Sequence, residues 1–169
     1  MIRVAMTIDE INSLSREQFV ASLGWVFEHS PWVAERAWEM RSFADLGQLH
    51  TAMKQVVNSA STEEQLELLR AHPDLGTRAR ISAASSDEQS GAGLDNLNSD
   101  QYQLLQRLNT EYREKFGFPF LYAVKDSTKY DILRLLERRL EKAAVEEFHE
   151  ALEQVYRIAL FRLQGLIAC

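Results

Sequence analysis

The sequence predicts an all-α protein, a single-domain helical bundle over residues 1–169 with irregular loops at about 73–85 and 117–126. Three observations carry that expectation. Apolar residues recur at intervals of three and four along most of the chain. Ser-x-x-Gln and Ser-x-x-Glu spacings, which satisfy a helix's first amides reciprocally, stand before several of these runs. Strand-like runs are scarce, and the chain holds neither an internal repeat nor a low-complexity tract.

Ser15 and Gln18 open the first clear helix, whose apolar face is Phe19, Leu23, Val26 and Phe27. Ser30 is expected as the next N-cap, with Pro31 at the first helical position, where a missing N–H costs nothing. Trp32 and Trp38 of that helix are assigned to the core. Leu46, Leu49, Met53, Val56 and Val57 mark another amphipathic helix. Ser61 and Glu64 open the following one. It reaches Ala71 and stops at His72-Pro73, because proline disfavours the α region for the residue before it.

Residues 73–98 contain Gly76, Gly91, Gly93 and several serines but few large apolar side chains. They read as a loop with a short helix near Ser86 to Ala92. Ser99 is the expected cap of a long helix that stops at Gly117. "FPFLYAV", residues 118–124, is nearly all apolar and fits a buried strand, a buried extended segment or a short helix; no partner strand is in sight. Ser127 is expected to cap the next helix, and a long last helix runs from roughly Val145 to Ile167.

A chain of 169 residues is long enough for a real core, and 46% apolar with 26% charged residues is an ordinary globular balance. The net charge of −6 argues against a nucleic-acid partner, though a local Arg can still bind an anion. The one cysteine, Cys169, allows no internal disulfide and is read as exposed; no Cys/His cluster suggests zinc, and no metal is expected. No run reaches membrane-spanning length, the N-terminal stretch does not read as a signal peptide, and "GLIAC" is not a peroxisomal tripeptide. A cytoplasmic protein without a membrane partner is the expectation. P-loop, GxGxxG, GxSxG and HExxH motifs do not occur.

Three places could carry chemistry. His72 stands at an exposed-looking corner, where it either rests on the negative end of a helix dipole or is aimed into a cavity. Ser85 and Glu88 have capping-box spacing, and Asp87 and Glu88 would suit a first helical turn; alternatively Glu88 accepts from ligand N–H groups. Arg162 falls on the apolar stripe of the last helix, with Phe148, Leu152, Val155, Ala159 and Leu166. It either snorkels, with its head in water, or anchors a carboxylate or carbonyl in a pocket. His29, His50 and His149 lie in helical contexts and are read as structural or solvent-facing.

"AHPDLG", "SSDEQSGAGL", "LNTEYREKFGFPFLYAVK" and "ALEQVYRIALFRL" occur in this order, preceded by "FEHSPWVAERAW". Together they resemble the OHCU decarboxylase family (2-oxo-4-hydroxy-4-carboxy-5-ureidoimidazoline decarboxylase) over about residues 9 to 166. The resemblance implies an all-α, cofactor-free, homodimeric enzyme of urate degradation that forms (S)-allantoin from a small ureido-imidazoline substrate. It implies a catalytic His at His72, a functional carboxylate at Glu88 and a functional Arg at Arg162. It implies substrate binding by Pro73, by Ser85, Ser86, Asp87, Glu88 and Gln89, and by Phe120, Leu121, Tyr122, Ala123 and Val124. Two features depart from the family pattern: a short loop between His72 and Glu88, and Lys142 where an Asn is usual. Two other functions fit the residues: a non-catalytic helical interaction module, and an acid/base enzyme acting on another ureide.

Overall fold

Nine α-helices and one 3₁₀ turn make up the helical structure of the computed structural model, which describes residues 5–77 and 82–168. They are α1 (Ile8–Asn12), α2 (Arg16–Leu23), the 3₁₀ turn Gly24–Val26, α3 (Trp32–Trp38), α4 (Leu46–Asn58), α5 (Thr62–Arg70), α6 (Ala83–Gly91), α7 (Ser99–Phe116), α8 (Lys129–Arg139) and α9 (Ala144–Leu166). The all-α prediction holds: the extended pairing among the described residues is a single bridge, Met6 to Ile167. Residues 78–81, part of the first predicted loop, and Cys169 lie outside the described residues.

Capping explains most helix starts, and it corrects several predicted ones. Ser15–Gln18 and Ser61–Glu64 form complete capping boxes, as their spacing requires. Ser30, by contrast, does not cap α3; its hydroxyl donates to the Glu28 carbonyl and Pro31 takes the N-cap position. Asn98 caps α7, not Ser99, because Gln101 returns a hydrogen bond to Asn98 whereas three residues after Ser99 stands Tyr102. Thr128 caps α8, not Ser127, for the same reason: Asp131 reciprocates, and Tyr130 three residues after Ser127 does not. Gly117 does end α7, with φ +82 and its N–H on the Arg113 carbonyl, the left-handed stop only glycine adopts freely.

The described residues cluster into two compact units, one running to Ala71 and resuming at Tyr156, the other His72–Val155. In the first, Ile11, Phe19, Leu23, Val33, Leu49, Met53, Val57 and Leu69 are buried. Phe19 and Phe43 stack with ring centroids 6.3 Å apart. Trp38 and Trp32 are half-buried rather than fully enclosed, and Trp38 Nε1 donates to the Leu14 carbonyl. Met6 and Leu166 to Ala168 tie the two ends of this unit together through backbone bonds of 2.9 and 2.7 Å.

The second unit is built around Tyr112 of α7. Phe116, Phe118 and Phe120 surround its ring at centroid distances of 4.5, 6.0 and 5.5 Å. Each such pair adds about 0.5–1.5 kcal/mol beyond the area it buries. Residues 118–124 form neither strand nor helix, yet Phe118, Phe120, Leu121, Ala123 and Val124 are buried. An apolar run without a ladder partner must find other partners for its backbone polar groups.

Candidate active site

The chain after α5 is held tightly. Ala71 closes the helix and His72 follows, only 6% exposed, so the corner predicted to be exposed is buried. Beyond Pro73, the Asp74 carboxylate pairs with Arg113 Nη2 at 2.6 Å and the Leu75 carbonyl accepts from Asn109 Nδ2 at 2.9 Å. Gly76 takes φ +72, and a Cβ there would lie 2.3 Å from Leu105 Cδ2. Its N–H donates to Gln89 Oε1 at 2.8 Å. Thus α7 and α6 both grip residues 74–76, immediately downstream of His72.

α6 starts earlier than predicted. Ser82 is its N-cap, accepting from the Ser85 N–H at 3.1 Å, and the helix spans Ala83–Gly91 rather than beginning near Ser86. Ser85 is therefore the third helical residue, not a cap, and its first turn carries no acidic residue, contrary to the reading of Asp87 and Glu88. The capping explanation for Glu88 falls away. Ser85, Glu88 and Gln89 share one face at helical spacing and are buried or half-buried, whereas Ser86 and Asp87 are exposed. Gln89 ties that face to the Gly76 turn.

The segment Phe120 to Val124 belongs to the same unit. The Leu121 carbonyl accepts from Arg139 Nη1 at 2.5 Å, and the Ala123 N–H donates to Gln154 Oε1 at 3.0 Å. Arg139 is itself clasped by Glu147: Nε lies 3.1 and 2.9 Å from the two carboxylate oxygens and Nη2 lies 2.8 Å from one of them. Tyr112 Oη donates to Glu147 at 2.5 Å. Burial, then this hydrogen bond to the carboxylate, pushes the Tyr112 phenol well above its ordinary pKa, so it remains a proton donor.

Arg162 lies in the other unit and does not snorkel. It is 6% exposed, and its Nη2 pairs with Glu28 at 2.8 Å. Its Nη1 donates to the carbonyls of Trp25 and Val26 at 3.2 and 3.4 Å. Glu28 sits just before His29, which is not helical as expected but turns with φ +46, its Nε2 3.6 Å from Glu28. His50 Nε2 donates to the Tyr156 carbonyl at 2.8 Å, and burial holds its pKa below 6.5. An open cleft of about 460 Å³ in this unit is lined by Met40, Phe43, Asp45, Gln48, Thr51 and Gln55, none of which the sequence singled out.

Sequence reasoning missed Glu28, Arg139, Glu147 and Gln154. The signal was present for Arg139, which follows Ile132 and Leu136 on the apolar face of α8 as Arg162 does on α9. Among the described residues no group of three or more His, Cys, Asp or Glu is placed to hold a metal ion, and no helix is long and apolar enough to cross a membrane.

The family model described as OHCU decarboxylase matches residues 12–164. This chain belongs to the OHCU decarboxylase family. It is 49% identical over 158 residues to the 2-oxo-4-hydroxy-4-carboxy-5-ureidoimidazoline decarboxylase of Haloferax volcanii, covering 94% of each chain. It is 44% identical to the uric acid degradation bifunctional protein of Bacillus subtilis, covering 95% of this chain but 33% of that longer one. Among solved structures it resembles (S)-allantoin synthase with a TM-score of 0.81 and 34% identity, over 96% of this chain and 54% of that chain. A second structure, OHCU decarboxylase in the presence of (S)-allantoin, shares the fold at a TM-score of 0.69 with 21% identity, covering 90% of this chain and 98% of that one.

Proposed function

We propose that this protein decarboxylates 2-oxo-4-hydroxy-4-carboxy-5-ureidoimidazoline to (S)-allantoin in urate degradation, without a cofactor. The observation that carries this reading is the 49% identity to a decarboxylase of that name over 94% of both chains. The motif residues support it, since His72, Glu88 and the Phe120–Val124 segment all fall in one compact unit.

The chemistry needs no external electron sink. The carboxylate sits on a carbon that also bears a hydroxyl and adjoins a ring C=N. As carbon dioxide leaves, the freed electron pair forms a C=C bond with the imine carbon, and the C=N pair moves onto nitrogen, which takes a proton. The enol so formed returns its hydroxyl as a carbonyl while the former imine carbon gains a proton on one face. Overall one carboxylate and one proton become carbon dioxide and a neutral ring. The protein must supply orientation and one stereochemically placed proton.

His72 moves that proton, since an imidazole can donate from one ring nitrogen and accept at the other. Glu88 accepts from ureido or ring N–H groups, and backbone groups of Phe120 to Val124 complete the polar outline, with Pro73 and the Ser85–Gln89 stretch of α6 as further contacts. Arg162 binds carbonyls or the departing carboxylate. A homodimer and a cytoplasmic setting rest on the family resemblance, and light scattering of the purified protein tests the first.

The substrate loses carbon dioxide spontaneously, so stereochemistry is the sensitive readout. Generating it in situ from urate with the two upstream enzymes, and following the circular dichroism of allantoin, should show faster formation of one enantiomer. No change in rate or enantiomeric excess would sink the reading. His72→Ala and Glu88→Ala should each return the reaction to the spontaneous rate with unchanged helical content; a near-wild-type rate removes that residue from the mechanism.

A further inference from the structure

A binding surface made of backbone is only as precise as whatever fixes that backbone. Residues 118–124 have no helix and no strand partner, and they join α7 to α8 as an irregular stretch. The Phe120 and Tyr122 rings stack at 6.5 Å with an interplanar angle of 23°. Rings two residues apart meet in this way when the backbone is close to extended, where side chains and polar groups alternate in direction.

Two side chains take the backbone groups on one side of that alternation. Arg139 donates to the carbonyl of Leu121 and Gln154 accepts from the N–H of Ala123. Both are themselves immobilised. Glu147 holds three of the Arg139 contacts, and the Arg139 guanidinium carbon stands 4.6 Å over the Phe120 ring. Gln154 Nε2 donates to Glu150 Oε1 at 2.8 Å, which fixes which way its amide points. Tyr122 Oη and Ser127 Oγ lie 2.9 Å apart, and the Ser127 N–H donates to the Val124 carbonyl at 3.0 Å, closing the far end. Among the described residues, no hydrogen bond takes the N–H of Tyr122 or of Val124 on the alternate side.

A buried Arg–Glu pair contributes little to net stability over a well-packed apolar replacement. Its particular product here is geometry: a cation and an amide, each locked, that set the position and direction of one short backbone run. We propose that Arg139 and Gln154 are positioning residues that hold the Phe120–Val124 backbone so that the amides of Tyr122 and Val124 are presented to the substrate's carbonyl or carboxylate oxygens. This rests on the decarboxylase reading above and adds to it which residues set the aim of that segment.

The test centres on Gln154, because removing Arg139 leaves a buried carboxylate and endangers folding. Gln154→Leu deletes the acceptor for Ala123. The double exchange E150Q/Q154E restores both hydrogen bonds with the roles of the two side chains swapped. With the in situ assay, Gln154→Leu should lower kcat/KM about tenfold or more and reduce the enantiomeric excess, while the Ala123 amide left unpaired lowers the denaturation midpoint without unfolding the protein. The exchange should recover both. Hydrogen exchange at residues 120–124 should quicken in Gln154→Leu and slow again in the exchanged protein.

Unchanged exchange rates in Gln154→Leu would overturn the proposal, as would wild-type kinetics and stereochemistry, or a double exchange no better than the single variant. A wild-type protein without activity would instead defeat the decarboxylase reading, and the exchange rates would still decide whether Gln154 holds the segment.

Discussion

Two buried arginines invite comparison. Arg139 and Arg162 each sit on the apolar face of a helix, and each has Nη2 2.8 Å from a buried glutamate. Their settings differ. Arg139 reaches its partner eight residues away, across one turn, and also bonds the Leu121 carbonyl of the irregular 118–124 segment, which the family resemblance assigns to the substrate. Arg162 reaches 134 residues back to Glu28 and also donates to the Trp25 and Val26 carbonyls at the end of the 3₁₀ turn. The same local signal, a cation on an apolar stripe, thus marks one residue that braces backbone and one that the family pattern assigns to the substrate. A stripe position alone does not distinguish the two roles.

The largest effect should come from breaking the brace. Arg139→Ala leaves Glu147 buried without its cation and should cost about 3–5 kcal/mol of stability, read from denaturant midpoints. Arg162→Lys is the sharper contrast. A lysine keeps the charge for Glu28 but loses the planar fork. If Arg162 meets the substrate, kcat/KM should fall by about tenfold to a hundredfold, the worth of a charge-assisted hydrogen bond of about 1.5–3 kcal/mol, while stability changes little. An Arg162→Lys protein that lost stability and kept its activity would make the two pairs equivalent and remove Arg162 from the site.

A smaller effect is expected at the turn behind His72. Gly76→Ala must adopt a left-handed backbone against Leu105 and should cost about 1–2 kcal/mol. Because Gln89 is bonded to that same N–H, activity should fall further than stability predicts if the turn aligns His72 with α6. Proportionate losses of both would mean that the turn serves folding only.

The smallest effect is a pH dependence in the unit that holds Arg162. His50 has a folded pKa below its unfolded value of 6.5, because burial opposes its charge. The unfolded chain then binds the proton more readily, so stability is full above about 6.5. It declines as pH falls through that value and levels off below the folded pKa. His50→Gln, which can still donate to the Tyr156 carbonyl, should flatten the stability profile over that window. An unaltered profile would show that His50 does not report on the packing around α9.

Where the sequence and the structure part company, the cause is specific. Ser15–Gln18 and Ser61–Glu64 were legible because both partners of the box lie within four residues. Ser99 and Ser127 were mistaken for caps although Asn98–Gln101 and Thr128–Asp131 stood one position away with the better reciprocal partner. The Ser85–Glu88 spacing satisfied the same rule and still failed, since α6 begins at Ala83 and buries Ser85. The spacing rule sees only four residues, whereas the start of α6 is set by Ser82, which accepts from the Ser85 N–H.

By itself the sequence determined what depends on neighbours within a turn or two: the all-α class, two capping boxes, the stop at His72-Pro73 and the left-handed stop at Gly117. The ordered motifs extended this to the family, because four of them in register constrain far more than one. Only the tertiary structure decided which partners come from far along the chain. Glu28 pairs with Arg162 and Asn109 with the Leu75 carbonyl, while α9 brings Gln154 to Ala123 and Glu147 to Arg139. The physical reason is that helix periodicity and capping are local energies that a short window contains. The partner of a buried charge or of an irregular backbone run is instead set by packing among elements tens of residues apart.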